Sequence, residues 1–94
     1  MNVFKSPELA EKAINKFIPL IIDFGDDIIS IDVYGLKETD IEDEYMGGIE
    51  FNVKRFGNSK EAPYYHHLRG QILKAIKDYF GVKILLNSSG VNYK

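Results

Sequence analysis

Gly25-Asp26-Asp27-Ile28-Ile29-Ser30-Ile31-Asp32-Val33-Tyr34-Gly35 is the stretch at which the hydrophobic rhythm of the chain changes. Between its glycines, Ile29, Ile31 and Val33 fall to one side of an extended backbone, and Ile28, Ser30, Asp32 and Tyr34 fall to the other. A period of two marks a half-buried strand, because successive side chains of an extended chain point to opposite faces. N-terminal to it the spacing is helical. Leu9, Ala10, Ala13, Ile14, Phe17, Ile18, Ile21 and Phe24 recur at three- and four-residue steps and so share one face of a helix. Ser6-Pro7-Glu8 supplies the start: a hydroxyl for an orphan amide, a proline where its missing N–H is harmless, and an acid against the positive end of the helix dipole. Pro19 falls inside this pattern and is expected to kink or restart the helix, since it removes one hydrogen bond and crowds the preceding turn. Gly25 suits a left-handed cap.

C-terminal to the opening stretch, residues 36–46 read as an acidic loop. Ile49, Phe51 and Val53 then alternate with Glu50, Asn52 and Lys54 as a second strand. Gly57-Asn58-Ser59-Lys60 is a loop by composition. A second helix is expected from about Pro63, burying Tyr65, Leu68, Ile72, Ala75, Ile76 and Tyr79 and ending at Gly81; Gly70 inside it costs about 1 kcal/mol relative to alanine. Val82, Ile84 and Leu86 alternate with Lys83, Leu85 and Asn87 as a third strand, after which Asn87-Ser88-Ser89-Gly90 reads as a turn leading to a frayed end. The order is α-β-β-α-β. Two amphipathic helices need an apolar partner surface, and the greasy faces of three strands supply it. The expected architecture is a single α+β domain over residues 1–94, a two-layer sandwich with both helices on one face of a three-stranded sheet. Its other face carries Ser30, Asp32, Tyr34, Glu50, Asn52, Lys54, Phe56, Lys83, Leu85 and Asn87. Two free sheet edges leave room for a homodimer by strand addition.

Composition narrows the function classes. Of 94 residues, 45% are apolar and 28% charged, the balance of a globular chain with one core. There is no cysteine, which removes disulfides, thiolate metal sites and thiol nucleophiles. The longest apolar run, Phe17 to Ile22, is broken by Pro19 and is too short to span a bilayer, and Met1–Lys5 leads into the helix without a hydrophobic signal core. These features lead us to expect a soluble cytoplasmic protein with no membrane partner and no cofactor. Charge is unevenly spread: residues 1–47 hold eleven acids against four lysines, and residues 48–94 hold eight bases against three acids. Such asymmetry points to an interaction surface, or to two halves that cancel within the fold.

Glu38-Thr39-Asp40-Ile41-Glu42-Asp43-Glu44 places five carboxylates in seven residues with no base. It lacks the ligand spacing and turn glycine of a calcium loop, so no metal site is expected. Clustered like charges on a protruding loop steer a basic partner and mimic nucleic-acid phosphates. Ile41, Tyr45 and Met46 among them offer apolar anchors. The candidate protein-binding residues are therefore Glu38, Asp40, Ile41, Glu42, Asp43, Glu44 and Tyr45. The plainer reading of the same residues is a hydrated loop that keeps the chain in solution. His66 and His67 are adjacent on a helix and point about 100° apart, which suits neither one metal nor a catalytic set. His66, Gly70, Lys74 and Lys77 form a stripe on the second helix. His66, Lys74 and Lys77 with Lys54, Arg55 and Arg69 make the candidate phosphate-binding set, beside Tyr64, Tyr65 and Phe56 as stacking rings. A sequence pI of about 5.6 weighs against a dedicated nucleic-acid binder.

The α-β-β-α-β order resembles small KH-like RNA-binding domains, although His67-Leu68-Arg69-Gly70 stands where a Gly-x-x-Gly clamp would be. Gly25 to Gly35, with the later Phe80-Gly81-Val82-Lys83-Ile84-Leu85-Leu86, resembles the minimal nucleotidyltransferases, in which Gly-Ser ends one strand, Asp-x-Asp follows on the next and a third acid comes from the last. Here those places hold Gly35-Leu36, Glu50-x-Asn52 and Leu85, so the resemblance implies an inactive relative without its full metal-binding set. The leading expectation is a non-catalytic binding module of the inhibitor, antitoxin or immunity type, docking on a basic protein through loop 38–44. The alternative is a phosphate- or RNA-binding domain using the second-helix stripe.

Overall fold

The computed structural model describes residues 3–54 and 62–94. Arg55, Phe56 and the loop expected at Gly57–Lys60 lie outside them. Helix α1 (Pro7–Ile21) begins as its cap dictates: Ser6 is extended, and its Oγ accepts the amide of Leu9 at 3.2 Å. The buried stripe is Ala10, Ile14 and Ile18, one residue per four, while Leu9 and Ile21 are exposed. Pro19 lies within the helix two residues before its end, and the hydrogen bond that its missing N–H would make is forgone. Phe24 therefore lies beyond the helix, not on its face. Gly25 takes the left-handed conformation (φ 62°), and its amide is held by Asp23 Oδ1 at 2.9 Å.

Strand β1 (Ile28–Glu38) pairs antiparallel with β2 (Glu44–Val53). The crossover helix α2 (Ala62–Phe80) returns the chain to β3 (Lys83–Tyr93), which lies parallel to β2. The sheet is mixed, in the order β1-β2-β3, and the fold is α+β as expected. Both helices cover one face. Phe17 of α1 stacks on Tyr79 (4.7 Å) and meets Phe80 of α2 edge-on (5.1 Å), closing the seam between them. Beneath lie Ile14, Ile18, Val33, Tyr45, Ile49, Ile72, Ile76 and Val82, all fully buried.

Four local expectations are corrected. The first hairpin is longer than its alternation suggested: Leu36–Glu38 and Glu44–Met46 are strand, not loop, and the connection shrinks to residues 39–43. Gly35, at φ 64°, forms a bulge that restarts the alternation out of phase, which hides the strand's continuation. A second irregularity between Ile28 and Ser30 puts Ile28 inside and Ile29 outside, the reverse of strict alternation. The tail is not frayed: Asn87 to Tyr93 continue β3 against Gly48–Val53, because pairing with a central strand overrides the weak strand preference of Asn, Ser and Gly. Tyr79 is exposed and serves the interhelix seam rather than the core.

The two sheet edges are not equivalent. Val33 of the edge strand β1 has both its main-chain groups taken by one side chain of α1. Asn15 Oδ1 accepts from the Val33 amide at 2.7 Å, and Asn15 Nδ2 donates to the Val33 carbonyl at 2.9 Å. One turn earlier, Glu11 Oε1 accepts the amide of Leu36 at 3.3 Å, just past the bulge. Helix α1 thus occupies the middle of the β1 edge with two polar side chains, a device that blocks pairing with another strand.

Candidate functional site

The connection between β1 and β2 is a five-residue tip built by its own hydrogen bonds. Thr39 Oγ1 accepts the amide of Ile41 at 3.1 Å and donates to Glu44 Oε1 at 2.8 Å. The Thr39 amide donates to the Glu44 carbonyl and the Glu44 amide to the Ile41 carbonyl. Asp43 takes a positive φ of 56° to close the turn; its carboxylate accepts the amide of Val3 at 2.6 Å and its carbonyl that of Lys83 at 2.9 Å. The acidic residues therefore divide into two groups. Glu44 is buried and Asp43 half-buried, both holding the tip in shape. Glu38, Asp40 and Glu42 are exposed, with Ile41 between the last two at 62% exposure. Tyr45 is fully buried in the core, so its place among the expected surface anchors is corrected; strand parity turns it inward and its neighbour Met46 outward. Burial, reinforced by the negative charges of Glu38 and then Asp43, pushes the Tyr45 phenol above its usual range.

The uncovered face of the sheet continues from this tip in four transverse rows. Nearest it is Lys37–Met46–Leu85, then Tyr34–Gly48–Ser88, Asp32–Glu50–Gly90 and Ser30–Asn52–Asn92. Tyr34 lies across Gly48 and shares a 2.6 Å hydrogen bond with Ser88 on the far strand; a Cβ at Gly48 would strike its ring. The last two rows form a polar network. Asn52 Nδ2 donates to Ser30 Oγ (2.9 Å) and Asp32 Oδ2 (3.1 Å), and Asn92 Nδ2 donates to Glu50 Oε2 (2.9 Å). These amides donate to Asp32 and Glu50, two carboxylates that face each other across the strand pair, where like charges repel. The Glu50-x-Asn52 pair thus does meet Asp32, but Leu85 lies two rows away among apolar and basic side chains. Among the described residues no group of three or more His, Asp or Glu side chains could hold a metal ion.

Four of the candidate basic residues, His66, Arg69, Lys74 and Lys77, lie on α2, and Arg55 lies outside the described residues. Lys74 pairs with Asp78 on the exposed face of α2 at 3.3 Å, and Lys77 and Lys54 are exposed. Among the described residues His66 and Arg69 come together, over the cleft between α2 and β3, where Arg69 Nη1 donates to Ser89 Oγ at 2.6 Å and Nη2 donates to His66 Nδ1. Sequence reading missed Ser89 because it assigned that residue to a turn. It missed Asn15 because a single amide beside an apolar helix stripe carries no spacing signal. No helix among the described residues is long and apolar enough to cross a membrane. Compared with known proteins, the chain matches no family model, no curated protein and no solved structure.

Proposed function

We propose that this chain is a non-catalytic binding module that docks on a basic protein surface through the tip of the β1–β2 hairpin, in the manner of a small inhibitor, antitoxin or immunity protein. The observation that carries this reading is Ile41: a large apolar side chain, 62% exposed, between the exposed Asp40 and Glu42 on a loop fixed by internal hydrogen bonds. An apolar centre with a charged rim is how an interface combines an anchor with steering. A tip already held in its bound shape loses little conformational entropy on docking. Met46 and Leu85, exposed on the adjoining row of the sheet, extend the apolar contact.

The test compares proteins captured from lysate at about 50 mM salt, where electrostatic steering is strong, by wild type and by the double variant Asp40→Lys, Glu42→Lys. The circular dichroism and urea midpoint of the variant establish that it remains folded. The reading expects a basic protein held by wild type and released by the variant. An identical captured set from both would refute it.

A further inference from the structure

We propose that the cleft between α2 and β3 binds a small aromatic phosphomonoester, with the phosphate held by Arg69, His66 and Ser89 and the ring seated on Phe51, Tyr65 and Val91. This site is separate from the hairpin tip and does not depend on it. The argument starts from the state of Arg69. Its side chain is half-buried and held at two points, by the Ser89 hydroxyl and by His66 Nδ1. A guanidinium has five N–H donors and no acceptor, so it is the donor to both partners. Neither partner is a carboxylate, and among the described residues no ion pair to Arg69 is present. Among the described residues the guanidinium is thus positioned without a carboxylate partner, as an anion site requires.

A cavity of about 170 Å³ opens beside this cation, with Phe51, Tyr65 and Val91 among its walls. The rings of Phe51 and Tyr65 meet at 5.3 Å, giving one apolar side to a space rimmed by Arg69, His66 and Ser89. The volume is below the roughly 300–1,000 Å³ of drug-sized pockets and suits one ring with its head group. The cavity exists because β3 presents the small Ser89 on its helix-facing side, where a larger side chain would fill the gap beneath α2. The donors approach from the helix on one side and the strand on the other. That arrangement serves the several oxygens of a tetrahedral phosphate better than the two of a planar carboxylate, and a guanidinium fork matches phosphate geometry.

The experiment is an amide NMR titration of the full chain at about 50 mM salt, with phenyl phosphate, phenol and inorganic phosphate as separate probes, on wild type, Arg69→Gln and Ser89→Ala. Phenyl phosphate should shift the Ser89, Gly90 and Val91 amides saturably, with a dissociation constant near 1 mM, at least tenfold tighter than either fragment probe. Arg69→Gln should weaken it at least tenfold and Ser89→Ala severalfold. Ser89 is exposed, so its variant folds and keeps the test decisive even if Arg69→Gln does not. The proposal is overturned by the absence of saturable shifts at roughly 10 mM phenyl phosphate, by equal binding of inorganic phosphate or phenol, or by unchanged affinity in the folded variants.

Discussion

Replacing Asn15 with alanine should release the covered edge of the sheet. The side chain makes two hydrogen bonds to one residue of an edge strand, at 2.7 and 2.9 Å, both partly buried. Each such bond contributes about 0.5–1.5 kcal/mol net, so the loss should be about 2 kcal/mol. For a domain of this size that corresponds to a melting temperature lower by roughly 8–16 °C. The exposed neighbour Lys16→Ala should stay within about 0.5 kcal/mol of wild type, separating the clamp from any general effect on α1. Asn15→Asp keeps the acceptor for the Val33 amide but sets a carboxylate oxygen against the Val33 carbonyl, so at pH 7 it should destabilise at least as much as alanine. Urea unfolding gives the energies, and hydrogen exchange at the Val33 amide gives the site: protected in wild type, fast in both variants. The freed edge should also promote self-association at high concentration, visible by sedimentation. An Asn15→Ala protein of wild-type stability with Val33 still protected would refute the claim that this amide closes the edge.

Other outcomes follow from the same packing. Tyr45→Phe removes a buried hydroxyl that has no hydrogen-bond partner among the described residues, and should raise stability by about 1 kcal/mol at pH 7. The folded phenol holds its proton more tightly than the unfolded one, whose value is 10.0, so stability should be intact below that pH and fall as the pH climbs through the higher folded value. Urea midpoints from pH 7 to 11 should show this alkaline loss in wild type and a smaller one in Tyr45→Phe. Adjacent glycines on opposite faces should respond differently to alanine. At Gly47 a Cβ would meet the Tyr34 carbonyl oxygen at 2.9 Å and Leu36 Cδ2 at 2.6 Å, and the backbone contact cannot swing aside, so about 2–3 kcal/mol is expected. At Gly48 the obstacles are the ends of Tyr34 and Ser88, which can move; about 1 kcal/mol is expected, with loss of the hydrogen bond between them.

Much of the architecture was legible in residue spacing. Ser6-Pro7 marked the start of α1, and the two-residue period of Ile31 and Val33, and of Ile49, Phe51 and Val53, assigned the inner face of the sheet. What spacing could not convey was interruption and context. The bulge at Gly35 broke the phase and hid the far end of β1, and Asn87–Gly90 became strand only because β2 offered a partner. The acidic tip was visible as composition. Its division into structural Asp43 and Glu44 and exposed Asp40 and Glu42 was not, since that depends on which way each carboxylate turns at the hairpin's end. The Arg69–Ser89 contact joins a helix to a strand twenty residues later, a distance no local pattern encodes.

The most direct test of the docking account is the salt dependence of association. With a basic protein captured by the wild-type chain, the association rate constant should be measured by stopped flow between roughly 20 and 200 mM salt, a range over which the screening length shrinks severalfold. The account predicts that the wild-type rate falls at least tenfold across this range, and that Asp40→Asn with Glu42→Gln associates slowly with little salt dependence. A wild-type rate indifferent to salt, or the same steep dependence in the neutralised variant, would contradict it.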